Sequence, residues 1–172
     1  SWDVSYAGNA VTLTVVETGA GPGPTYWWDA DGTLPIGGTG AWDTTAKRWR
    51  SPLSNDTASV WNNALPSTAE AIFAGQAGTV TINAAALNIH ALTFLGTGHL
   101  LTGGELDFSN NAPSLVQSTG IGTNTLATVL ASAHNIVFAA NDGVLALAAT
   151  NTYRGDTVVS NGVVQLSADN II

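Results

Sequence analysis

Apolar residues recur along this chain in short alternating runs, not at helical spacing. Gly104 is followed by Leu106 and Phe108, and Gly122 by Leu126. Gly143 leads to Leu145 and Leu147, and Gly162 to Val164 and Leu166. Each unit is a glycine followed by a strand-like segment that ends in Phe or Leu. The four glycines are 18, 21 and 19 positions apart, reading 104, 122, 143 and 162 from the numbering. One turn and one strand per period of about twenty residues is the signature of a solenoid. Strands are predicted over 11–16, 79–82, 87–94, 99–102, 105–108, 114–117, 125–131, 135–139, 144–148, 157–160 and 163–166. The Ala-rich run 125–133 fits a helix by composition, but Thr125, Thr128 and Val129 favour a strand.

A coil of this kind has inward apolar positions that it cannot bury alone. Stacking places Leu over Leu and Val over Val, and pairs each backbone group with the coils above and below. Asn suits the corners, because it tolerates left-handed backbone and its amide can bond along the stack. Asn110, Asn141, Asn151 and Asn161 are the candidates, with ordinary turn residues as the alternative.

The N-terminal part differs. Between Tyr26 and Trp61 lie five of the six Trp residues and three of the four basic residues. Turn signals interrupt it at residues 29–32, 37–40 and 54–56. Composition therefore divides the chain into a terminal strand element (1–18), a Gly/Pro linker (19–25), a Trp-rich cap (26–75) and regular coils (76–172).

Charged residues make up 9% of the 172 residues and the net charge is −8. Nucleic acid and anionic membrane surfaces are repelled by such a chain. Cysteine is absent, so cohesion rests on packing and hydrogen bonds without disulfides. No apolar stretch is long enough to span a bilayer as a helix, so membrane insertion of this segment is not expected. Ser1 is not a start methionine and no signal peptide follows it, which reads as a removed leader or a piece of a longer chain.

Two groups of residues resemble a known family. Asn151, Thr152, Tyr153, Gly155, Thr157 and Val158, then Asn161, Gly162, Val164 and Leu166, resemble the passenger-associated β-strand repeat of bacterial autotransporters. Trp28, Asp29, Asp31 and Gly32, with Trp42, Asp43, Trp49 and Trp61, are similar to the series that opens a β-helix segment in that family. Arg154 and Asp156 depart from the common Thr and Gly, and basic residues flank Trp49 where Asn often precedes it. The resemblance implies an all-β, right-handed parallel β-helix with an irregular Trp-rich N-terminal cap. It also implies an extracellular or outer-surface location and a non-catalytic structural role in a fibre or passenger. Residues 1–16 are similar to the element that finishes such a helix, yet here they precede a new opening. One period of a tandem array, or a subunit completed by its neighbours, would show that order. Strand pairing through Trp2, Val4, Tyr6, Val11, Leu13 and Val15 is then expected outside the chain's own coils, with copies of itself or adjacent repeats as partners.

Candidate chemistry is sparse. Asp29 and Asp31 with Gly32 look like the start of a Ca2+ loop, but Thr33, Leu34 and Pro35 do not supply the further oxygens. A turn in which both carboxylates bond local backbone is the alternative. Glu105 and Asp107 share one side of a strand. They suit a solvated outer face, or the carboxylate pair of a polysaccharide-degrading enzyme. His90, His99 and His134 lack metal-ligand spacing. Trp27, Trp28, Trp42, Trp49 and Trp61 suit a buried cap, or a platform on which glycans or host proteins dock with Asp43 and Arg50 alongside. Lys47, Arg48 and Arg50 read as a solvated edge or as partners for the chain's own acids.

Overall fold

The computed structural model describes residues 2–7, 10–15, 23–51, 53, 58–64, 68–108 and 114–167. Asn110, residues 16–22, which include most of the expected 19–25 linker, and residues 168–172 lie outside them. β1 (Trp2–Ala7) and β2 (Ala10–Val15) pair antiparallel with each other and form a separate two-stranded sheet. Their register sets Trp2 opposite Val15, Val4 opposite Leu13 and Tyr6 opposite Val11.

The rest is a parallel β-solenoid of about four turns with a spacing near 22 residues. The first coil carries β3 (Thr25–Trp28), β4 (Gly40–Trp42) and the short β5 (Trp49–Arg50). The second carries β6 (Glu70–Phe73), β7 (Thr79–Ile82) and β8 (Leu87–Asn88). β9 (Ala91–Phe94) and β10 (Leu100–Asp107) make the third, and β11 (Ser114–Ser118) and β12 (Thr123–Ala131) the fourth. β13 (Ile136–Leu147) and β14 (Thr157–Leu166) each run around a corner.

Three faces result. On face A, β3, β6, β9, β11 and the first halves of β13 and β14 stack in parallel. On face B the stack is β4, β7, β10, β12 and the second halves of β13 and β14. Face C holds β8, the end of β10 and the end of β12. It continues through Thr152 and Arg154, whose N–H groups donate to Leu130 and Ser132. The expected strand 87–94 is thus two strands, β8 and β9, with the corner at Ile89 and His90 between them. The ambiguous run 125–131 is strand.

Alternation explains the interior. Ala71, Leu92, Val116 and Phe138 stand over one another on face A. Val80, Leu101, Leu126 and Leu147 do so on face B, and Leu87, Leu106 and Leu130 on face C. All of these are essentially inaccessible to solvent. Burying each large one contributes about 1.5–3 kcal/mol.

Outward positions are mixed on both faces. Face B turns out Thr79, Thr81, Thr102 and Thr125 together with Leu100 and Val144. Face A turns out Leu115, Val137 and Val158 together with Glu70, Thr93 and Gln117. There Thr93 donates its hydroxyl to Glu70 and accepts from Gln117.

The corner between faces A and B is the tightest part of the stack. Gly75 has φ 71°, and a Cβ there would come within 2.3 Å of the Ile36 carbonyl oxygen. At Gly143 a Cβ would meet the Gly120 oxygen at 2.4 Å. Only glycine lets successive turns nest this closely. Asn141 sits at the same corner with φ 48°, the left-handed geometry expected of a corner Asn. Its Nδ2 donates to the Ser118 carbonyl, and Asn161 donates in turn to its Oδ1 at 3.1 Å. Asn151 closes a turn differently, its Oδ1 accepting the Leu130 N–H.

Candidate functional site

The Trp-rich end is where the sequence concentrates its chemistry. Trp28, Trp42, Trp49 and Trp61 converge inside the first coil and are 0–1% exposed. Their ring centroids lie 5.2 Å apart for Trp28 and Trp49, 4.7 Å for Trp42 and Trp49, and 4.9 Å for Trp42 and Trp61. Phe73 of the second coil meets three of them, and Phe94 follows it in the column. Tilted and edge contacts of this kind contribute about 0.5–1.5 kcal/mol per pair beyond area burial.

Backbone geometry closes the end. β5 lies antiparallel on β3 and sets Trp49 opposite Trp28. Ser59 then bridges Trp49 from outside. The Trp28 indole N–H donates to the Gly38 carbonyl and that of Trp61 to the Asn88 carbonyl. Those of Trp42 and Trp49 have no hydrogen-bond partner among the described residues. Four of the five candidate aromatics therefore present no face to a ligand. Trp27, on the outer side of β3, is half-buried.

Asp29 and Asp31 do not act as a pair. Asp29 is fully buried and forms an ion pair with Arg50, while its Oδ1 accepts the Gly32 N–H. Arg50 also donates to the Gly32 carbonyl at 2.7 Å, so one guanidinium anchors the base of the 30–36 loop. Asp31 is exposed and bonds Thr33 through both its N–H and its hydroxyl. Those bonds hold its carboxyl below the ordinary value. Asp43 is held low in the same way, chiefly by the Ala46 N–H. Among the described residues no three His, Cys, Asp or Glu side chains gather as metal ligands. Of the basic residues near Trp49, Arg50 is buried against Asp29, Arg48 is half-buried and Lys47 is exposed.

Glu105 and Asp107 flank the buried Leu106 and point outward on face C, beside Asn88. Partial burial, and then the charge of Asp107, raises the Glu105 carboxyl. The histidines are dispersed. His134 is exposed and His90 half-buried. His99 is 1% exposed, its ring 5.9 Å from those of Phe73 and Phe94, and burial lowers its pKa.

Three features escape sequence reasoning. Asn124 is a buried polar node: it donates to Gly96 and Ser118 and accepts the His99 N–H. Asn88 joins the second coil to the first by donating both its backbone N–H and its Nδ2 to Asn63. Leu34, Leu95 and Ile121 stand 67%, 43% and 79% exposed at turn tips. Only the last group had a sequence signal, since Ile121 lies between Gly120 and Gly122 and Leu95 precedes Gly96.

Over 171 residues the chain is 34% identical to the Adhesin BmaC autotransporter of Brucella suis biovar 1 (strain 1330). That match takes in 97% of this chain and 5% of the relative's length. No family model matches the chain. No solved structure matches it either.

Proposed function

We propose that this segment, a homologue of an autotransporter adhesin with the β-solenoid of an outer-surface passenger, is a non-catalytic structural unit, a stiff spacer that continues end to end with further coils or copies. The observation that carries this reading is the continuous parallel stacking of coil on coil around one apolar column. Such a stack is rigid along its axis, because every coil is bonded to the next. The β1–β2 segment, with Trp2, Val4, Tyr6, Val11, Leu13 and Val15, is the element through which neighbouring units would join. Negative-stain electron microscopy of the purified chain tests the joint. Uniform filaments with a regular repeat are expected, whereas dispersed short rods would leave a spacer without self-assembly.

A second reading, an adhesive surface on the same rod, is favoured by the relative's being an adhesin. For glycan ligands Trp27 is the candidate aromatic that is only half-buried. Quenching of Trp fluorescence by added glycans, lost in Trp27→Ala, is the expected result. Quenching unchanged by that substitution would remove the aromatic platform.

A further inference from the structure

The corner between faces A and B makes two demands of the chain, and in β14 they fall on adjacent residues. The ladder calls for an amide. Asn161 donates its Nδ2 to the Asn141 Oδ1 at 3.1 Å, and Asn141 donates to the Ser118 carbonyl at 2.9 Å. Nesting calls for a glycine. Gly162 has φ 74°, and a Cβ there would come within 2.6 Å of the Asn141 carbonyl oxygen. It would also come within 2.7 Å of the Ala140 side chain, so no larger residue fits. Stacking therefore imposes Asn161–Gly162, and no other Asn of the chain precedes a glycine.

That pair is chemically labile. The Asn side-chain carbon and the next backbone nitrogen close a small ring when they bond, so proximity replaces an outside nucleophile. Glycine leaves the approach unhindered. One coil lower the same corner reads Asn141–Asp142–Gly143, where the next nitrogen belongs to a residue with a side chain. Asn141 is also bonded through both ends of its amide. Asn161 is exposed, and among the described residues it uses only its Nδ2. Asn124 is buried and bonded three times.

We propose that Asn161 is a site of spontaneous deamidation, a self-modification by which the protein loosens its own corner. The Gly162 nitrogen bonds to the Asn161 side-chain carbon. The carbon–nitrogen bond of the side-chain amide breaks, and ammonia leaves with the proton of the Gly162 N–H. The cyclic imide then takes up water and opens to aspartate or, through its other carbonyl, to isoaspartate. Either product exchanges a donor for a carboxylate, which faces the Asn141 Oδ1 acceptor against acceptor. Asn141 can answer only by turning its amide over, and the Ser118 carbonyl then loses its donor. One chemical change thus undoes two bonds of the ladder. It also adds an acid to a corner that already carries the exposed Asp142. Isoaspartate further lengthens the backbone where Gly162 packs against Asn141 and Ala140. Neither the spacer nor the adhesive reading is needed for this chemistry.

Ageing the folded 172-residue chain at pH 8.5 and mapping it by tryptic mass spectrometry tests the site. Cleavage after Arg154 releases peptide 155–172, which holds Asn161 and Asn170 and no further Lys or Arg. Fragmentation should place the mass gain of an amide turned acid on Asn161, split between two separable isomers. Conversion there should outpace that of every other Asn. It should quicken with pH, because the attacking nitrogen gives up its proton. Asn161→Gln, whose larger ring closes more slowly, should stop it. An Asn161 that stays intact in the folded chain while a guanidinium-unfolded control converts would overturn the site, since the ladder would then protect it. Hydrogen exchange tests the consequence. Asn161→Asp should speed exchange in peptides of β13 and β14, and by more than Asn161→Ala, which only removes a bond. Exchange in Asn161→Asp equal to wild type would overturn the loosening even where deamidation occurs.

Discussion

The Trp-rich coil and the coils above it belong to one sheet but are held together differently. In the upper coils most inward positions are aliphatic or Phe residues stacked on counterparts about 22 residues away, with a few buried polar residues such as Asn124 and Ser118 among them. No single residue is decisive there, because neighbours on both sides share the packing. In the first coil Thr25 pairs with Glu70, and the chain between makes a long excursion. The interior there is filled by four indoles, an antiparallel strand and a buried ion pair. Such an end has a neighbouring coil on one side only. It must supply its own cover, and it does so with bulk and with specific polar bonds. Repetition gives distributed stability, whereas closure concentrates stability in a few side chains.

That difference predicts a ranking of substitutions. Trp49→Ala should cost the most, about 4 kcal/mol, because Trp49 touches Trp28, Trp42, Trp61 and Phe73. A chemical-denaturation midpoint close to wild type would break the comparison. Arg50→Met should come next, at about 3 kcal/mol, since it strands the buried Asp29 carboxylate. The double change Asp29→Asn with Arg50→Met should recover part of the loss, and no recovery would mean that the arginine acts by packing alone. In the coils, Leu126→Ala should cost about 2–3 kcal/mol, near the low end for a buried Leu, as the column above and below relaxes.

His99 sharpens the contrast by pH. Its ring is buried against Phe73 and Phe94, and burial holds its folded pKa below the ordinary 6.5. Below pH 6.5 the unfolded chain binds the proton more readily, so stability falls with pH until the folded pKa is reached. Denaturation midpoints should be lower at pH 5.5 than at pH 7.5, and His99→Leu should remove most of that slope. Glu105 acts in the opposite sense near pH 4.5, because its raised carboxyl favours the protonated folded form. The smallest effect belongs to the corner ladder. Asn161→Ala removes one partly solvated bond to Asn141 and should cost about 1 kcal/mol or less.

Much of this was legible because a solenoid writes its period into the chain. The Gly-to-Leu spacing of 143–147 and 162–166 marks strands whose register the structure reproduces, Leu145 over Val164 and Leu147 over Leu166. Asn141 and Asn161 were readable as corner residues for the same reason. The Trp cluster was readable as a group, but its orientation was not. Clustered indoles read more readily as a plug than as a platform, but nothing along the chain tells which of the five turns outward. The Asp29–Arg50 pair, 21 positions apart, forms because β5 folds back on β3. No local pattern announces that turn.

The sequence by itself determined the all-β class, the coil length, the inward columns and the outer-surface resemblance, because each depends on periodicity or on contiguous motifs. Tertiary structure alone decided which indoles are closed to solvent and which acid meets Arg50. Those properties depend on which residues stacking brings together from distant coils, and proximity across coils is not written at any one place along the chain.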